Sequence, residues 1–114
     1  TMLTSFDEEN RARLLSHQSV TENITHLIEE VRASGLRGIV CSPQDLELTK
    51  GKGLYVVTPG IRMSNDLSQD QKRTASPREA IENGASAYVV GRPISDSVSP
   101  RERALGFLVS NYDL

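Results

Sequence analysis

Short, largely apolar runs alternate with helix-start signals along this chain, and that alternation narrows the choice of fold more than any other feature. Residues 2–5 read as the tail of a strand, and residues 36–41, 54–57 and 87–94 supply three more. The last three runs are rich in strand formers such as Val and Tyr, and none alternates polar with apolar residues, so a sheet covered on both faces is expected. Helix signals fall between them. Residues 6–18 are polar and helical in pattern. Ser19 with Glu22 three residues on is a capping box, followed by the single apolar stripe Val20, Ile24, Leu27, Ile28 and Val31, with Gly35 placed to end the helix. Ser42-Pro43-Gln44-Asp45 opens another, with serine as cap and proline in the first turn, carrying Leu46 and Leu48 to a stop at Gly51-Lys52-Gly53. Ser76-Pro77-Arg78-Glu79 and Ser99-Pro100-Arg101-Glu102 read as two copies of one capping solution. The first should bury Ala80, Ile81 and Ala85, and the second Ala104, Leu105, Leu108 and Val109.

The order is strand then helix, four times over, which means parallel β/α units joined by right-handed crossovers. Four such units make either a small open α/β sheet or half of an eight-unit barrel. A complete barrel takes ~250 residues, and 114 is about half of that. The chain opens at Thr1-Met2-Leu3, already strand-like, and is therefore expected to be a fragment of something longer.

Composition excludes several classes. A net charge of −2 lacks the basic face of a nucleic-acid binder, and 4% aromatics are too sparse for a base-stacking platform. No apolar run approaches the roughly 18 residues that span a bilayer. A single cysteine, Cys41, rules out an internal disulfide and points to a reducing, cytoplasmic setting.

In β/α proteins the working residues sit at the carboxyl ends of strands and in the loops that follow. That rule selects Thr4-Ser5, Cys41-Ser42, the stretch from Thr58 to Arg62 with the polar segment 63–75, and Gly91-Arg92. A glycine N–H beside a guanidinium at a sheet rim suits a phosphate or carboxylate, since Arg donates two parallel charge-assisted bonds to such an anion. Segment 63–75 has no periodicity and little to bury, so it is expected to be a mobile binding loop. Cys41 reads as a small buried hydrophobe. His17 and His26 have no acidic or cysteine partners at ligand spacing, so no metal site is expected. Asp66, Asp70 and Lys72 read as solvated loop residues.

Several motifs in register are more specific than any one of them. Leu3-Thr4-Ser5, Val57-Thr58-Pro59-Gly60-Ile61-Arg62, Asp70-Gln71-Lys72-Arg73-Thr74 and Val90-Gly91-Arg92-Pro93-Ile94 together closely resemble the orotidine 5′-monophosphate decarboxylase family. The separations match as well: Gln71 lies nine residues beyond Arg62, and Gly91 twenty beyond Gln71. The resemblance runs nearly end to end. It implies an α/β fold forming the C-terminal half, the last four β/α units, of a TIM barrel. It implies a homodimeric, cofactor-free lyase that converts orotidine monophosphate to uridine monophosphate in pyrimidine synthesis. By the same resemblance Gly91 and Arg92 would grip the 5′-phosphate, and Gln71 would close over it and reach toward the pyrimidine. Arg62 and Pro59 would be substrate-binding positions at the root of that loop. Thr4 would contact ligand near the ribose and base, and Ser5 would hydrogen-bond the pyrimidine. The family's catalytic Asp-x-Lys-x-x-Asp has no counterpart here. Asp70-Gln71-Lys72 fails the pattern because Ala75 stands third after Lys72. The expected partners are therefore the nucleotide and an N-terminal half of the barrel, with no nucleic acid and no membrane. The other readings are a non-catalytic phosphate-binding half-barrel and another phosphate-using barrel lyase.

Overall fold

The computed structural model describes residues 19–64, 66 and 73–110. The strand and helix expected over residues 2–18, including Thr4 and Ser5, lie outside the described residues, as do Gln71 and Lys72. The order from Ser19 onward is helix α1 (Val20–Ala33), strand β1 (Gly38–Val40), a 3-10 helix (Pro43–Thr49), strand β2 (Tyr55–Thr58), helix α2 (Pro77–Glu82), strand β3 (Ala87–Tyr88), the short helix α3 (Arg92–Ser95) and helix α4 (Pro100–Val109).

Helix α1 starts where its capping box stands. The Ser19 hydroxyl accepts from the Glu22 N–H at 3.1 Å, and the Glu22 carboxylate accepts from the Ser19 N–H at 2.7 Å. Val20, Ile24 and Ile28 are buried and Val31 packs beside them, while Leu27 sits at the stripe's margin and is exposed. Gly35 ends the helix with φ of +80°, a conformation that L side chains rarely adopt.

The three strands form one parallel sheet in the order β1-β2-β3. Ile39 pairs with Val56 and Val40 with Val57, and Thr58 pairs with Tyr88. Period-two geometry then sorts the side chains. Ile39, Cys41, Val56 and Thr58 are buried on one face, against a core of Ile24, Ile28, Leu46, Ala80, Ala85 and Phe107. Val40 and Tyr55 are exposed, as is Val89 just past β3. The expectation of a sheet covered on both faces therefore does not hold among the described residues. One face carries the core, and the other is apolar but open.

Four further expectations are corrected. The helix after Ser42 is 3-10, not α. Asp45 stands where it would complete a capping box, but its carboxylate is engaged by Arg73. The Ser42 hydroxyl makes no capping bond, and the Asp45 N–H takes the Ser42 carbonyl at 3.0 Å, the i to i−3 pattern of the tighter helix. Ser76 and Ser99 are not two copies of one cap either. Ser76 makes a full capping box with Glu79. Ser99, at φ −131° and ψ 75°, is out of capping geometry and makes no side-chain bond to its helix. Finally, Phe107 is the buried residue of α4, whereas Leu105, Leu108 and Val109 are exposed, as is Ile81 on α2. The last apolar run also ends early. Pairing stops at Tyr88, one further bond runs from the Val89 N–H to the Thr58 carbonyl (2.9 Å), and Arg92 opens a helix of four residues.

Ser76→Ala should therefore lower stability by about 1 kcal/mol, whereas Ser99→Ala should stay within about 0.5 kcal/mol of the parent. Urea denaturation of both variants checks this. Equal losses would mean that the capping bonds do not distinguish the two helix starts.

Candidate functional site

Parallel pairing brings all three strands out at the same edge of the sheet. The Cys41 N–H donates to the Val57 carbonyl at 3.1 Å, which levels Cys41 with Thr58, and Thr58 is level with Tyr88. At that last row the Thr58 hydroxyl, fully buried, donates to the Cys41 carbonyl at 2.8 Å. The chain leaves this row through Pro59, half-buried, and Gly60, whose φ of +76° turns it sharply.

Segment 63–75 is closed at its base. Ile61 bridges Ala75 in parallel fashion, the Arg62 N–H donates to the Ala75 carbonyl at 2.9 Å, and the Ala75 N–H donates to the Gly60 carbonyl at 3.3 Å. The half-buried Arg62 guanidinium folds over this root and donates to the Ile61 carbonyl at 2.8 Å. On the neighbouring strand, Gly91 caps α3, and its carbonyl accepts from the Ile94 and Ser95 N–H groups at 2.9 and 3.1 Å. A Cβ built on Gly91 would meet nothing within 4 Å, so the space in front of it is open. Arg92 follows, half-buried. Of the residues expected to form a site, the structure sets Pro59, Arg62, Gly91 and Arg92 on adjacent strand ends. Thr4, Ser5 and Gln71 lie outside the described residues.

Segment 63–75 is far less loose at its ends than its composition implied. Arg73 is buried and pairs with the buried Asp45 carboxylate, while its Nε donates to the Gln44 side-chain oxygen at 3.2 Å. Burial pushes the Asp45 carboxyl above the ordinary carboxylate range, and the Arg73 guanidinium opposes that rise. Ser42 Oγ, Asp45 Oδ2 and Arg73 Nη1 have no hydrogen-bond partner among the described residues. Asp66, expected to be a solubilising residue, accepts from the Met63 N–H at 2.7 Å and from Arg103 of α4. Sequence reasoning missed Asp45, Arg73 and Arg103. Their partners lie 28 and 37 residues away, and no helical or strand spacing marks pairs that distant.

Cys41 is buried, as expected. Burial, reinforced by the nearby Asp45 carboxylate, pushes its thiol up to about 11. His26 is exposed, 3.9 Å from Glu30 one helical turn away. Among the described residues no three His, Cys, Asp or Glu side chains could hold a metal ion, and no helix is long and apolar enough to cross a membrane.

A parallel sheet with a helical layer on one face, and loops gathered at the carboxyl ends of its strands, defines an α/β protein built as half of a β/α barrel. A family model described as "Orotidine 5'-phosphate decarboxylase / HUMPS family" matches residues 1–107, and the chain belongs to that family. It is 40% identical over 106 residues to orotidine 5′-phosphate decarboxylase of Dictyoglomus thermophilum, a match covering 90% of this chain and 43% of that protein. It is 42% identical over 107 residues to the enzyme of that name from Citrifermentans bemidjiense, covering 91% of this chain and 45% of the relative. The crystal structure of orotidine 5′-phosphate decarboxylase from Lactobacillus acidophilus superposes with a TM-score of 0.74 at 28% identity, covering 97% of this chain and 46% of that one. The chain thus spans less than half the length of the curated relatives it matches.

Two measurements probe the base of the site. Arg73→Met strands a buried carboxylate and should lower stability by about 3–5 kcal/mol. The double variant Asp45→Leu/Arg73→Met should recover most of that loss in the same denaturation experiment. A double variant as unstable as the single would mean that the pair itself is not the source of the cost. The second measurement is stability against pH. The folded thiol of Cys41 holds its proton up to about 11, whereas an open thiol ionises near 9.0. The unfolded chain therefore binds fewer protons than the folded one above that lower value, and stability falls as pH rises through this window. Cys41→Ala should show a shallower loss between pH 9 and 11. Identical slopes would refute the shift.

Proposed function

We propose that this chain is the phosphate- and pyrimidine-holding half of an orotidine 5′-monophosphate decarboxylase. It would contribute β/α units five to eight as a single partial domain, and be completed by an N-terminal half. The observation that carries this reading is the placement of the matched motifs. Pro59 and Arg62 follow β2, and Gly91 and Arg92 follow β3, on strands held level by the Thr58–Tyr88 pairing. In this reading Arg92 and the open backbone of Gly91 hold the 5′-phosphate, with Gln71 completing the grip and Arg62 and Pro59 lining the root. Thr4 and Ser5 contact the ribose and the pyrimidine ring.

The chemistry of such an enzyme is loss of CO₂ from C6 of the pyrimidine, which leaves carbanion character on that carbon. A lysine ammonium in a water-excluded pocket stabilises the charge and then delivers the proton, with aspartates fixing its position. In this proposal those groups come from the completing half. What this chain supplies is remote binding energy, since a phosphate held away from the reacting carbon lowers the barrier only through closure and orientation of the whole substrate. Two exposed apolar surfaces support completion: Val40, Tyr55 and Val89 on the open sheet face, and Leu105, Leu108 and Val109 on α4. A cytoplasmic homodimer that uses no cofactor belongs to the same proposal.

The chain by itself should not decarboxylate orotidine monophosphate, and supplying the N-terminal half should restore turnover. Turnover by the pure chain would overturn this division of labour. In the assembled protein Arg92→Ala should weaken uridine monophosphate binding by about 10- to 100-fold and leave uridine binding unchanged. Calorimetric titration reads both. Unaltered nucleotide affinity would remove Arg92 from the site.

A further inference from the structure

Arg103, on α4, pairs with the segment after β2, and the helix that carries it is bonded to β3. Its guanidinium donates to Asp66 Oδ1 in the segment after β2, while Asp66 Oδ2 accepts from the Met63 N–H at 2.7 Å. The same guanidinium lies 5.3 Å from the centre of the Phe107 ring, one helical turn on, and Phe107 is buried. The Phe107 carbonyl accepts from the Tyr88 hydroxyl at 2.9 Å, and Tyr88 is the last paired residue of β3, three positions before Gly91. Met63 also approaches α4 directly, since its Cε is 3.7 Å from where a Cβ on Gly106 would lie. A chain of contacts thus runs from the root of the segment after β2, through α4, to the strand that delivers Gly91 and Arg92. Arginine suits the node because one planar guanidinium can donate to a carboxylate and stack on a ring together. The pair is partly exposed, with side chains 27% and 12% accessible for Arg103 and Asp66, so its contribution to stability is small.

We propose that Arg103 is a positioning residue that holds the loop after β2 and the Gly91–Arg92 turn in one fixed relation, so that the two halves of the anion site stay in register. The consequence for ligand binding rests on the nucleotide reading above; the mechanical link does not.

Hydrogen–deuterium exchange on the purified full chain tests the link directly. Arg103→Gln should speed exchange by about fivefold or more at both Met63–Ser64 and Val89–Gly91, with Ile39 and Val40 unchanged. The exposed pair variant Arg78→Gln should leave all three windows as they are. Faster exchange at Met63–Ser64 with none at Val89–Gly91 would overturn the proposal. If Arg103→Gln loses protection everywhere, Asp66→Asn, which keeps shape and removes charge, is read in the same windows and decides in the same way. In the assembled protein, Arg103→Gln should also weaken uridine monophosphate binding about fivefold while sparing uridine. Should the parent bind no uridine monophosphate, the nucleotide reading fails, and the exchange result still decides the role of Arg103.

Discussion

The working end of this molecule depends on a register. Three parallel strands are aligned so that Cys41, Thr58 and Tyr88 fall in one row, and everything of functional interest leaves the sheet just beyond it. A slip of one residue would turn every side chain to the opposite face. Ile39, Val56 and Thr58 would leave the core, and the loops after β2 and β3 would no longer start level. The Thr58 hydroxyl closes this row at the point where the strand ladder gives out, by satisfying the Cys41 carbonyl. A buried threonine at a strand end would otherwise cost desolvation, and here the same group joins two strands.

Beyond that row, two ion pairs add to the backbone bridge and the buried Ile61 in holding position. The loop after β2 is fastened at one root by Arg73 to Asp45 on the 3-10 helix, and at the other by Asp66 to Arg103 on α4. These pairs differ in kind. The first is buried, so desolvation offsets much of its attraction and its main effect is to penalise every arrangement in which one charge loses the other. The second is partly exposed and adds little stability, but it joins elements that backbone bonding does not. The first pair also ties the loop to the 3-10 helix, through one carboxylate oxygen of Asp45.

What could be read from the sequence follows from how local each determinant is. The capping boxes at Ser19 and Ser76 and the helix end at Gly35 are set by residues within four positions, and they stand where spacing placed them. The strands were legible as runs, yet their two-sided burial was not. Apolar composition says that a face avoids water, and in this chain Val40 and Tyr55 present such a face with no covering layer among the described residues. Helix α4 misled for the same reason, since Leu105, Leu108 and Val109 carry the signature of a buried stripe while Phe107 alone is buried. The ion pairs were invisible because 28 or 37 residues separate their members. Order along the chain does put Pro59 and Arg62 after β2 and Gly91 and Arg92 after β3, the strand paired with it, because parallel strands leave the sheet at one edge.

The closed base of segment 63–75 has a consequence for how such a protein can vary. Ile61 and Ala75 are bridged, with Arg62 and Gly60 bonded to Ala75 on either side, so the two ends of the excursion meet on the body of the fold. The number of residues between them is then nearly independent of the barrel geometry. Doubling such an excursion costs only about 0.6 kcal/mol in closure entropy. Such a chain can be lengthened or shortened between Asp66 and Arg73, and with it the reach of whatever that stretch carries, without disturbing Arg62, Arg73 or the strands beneath.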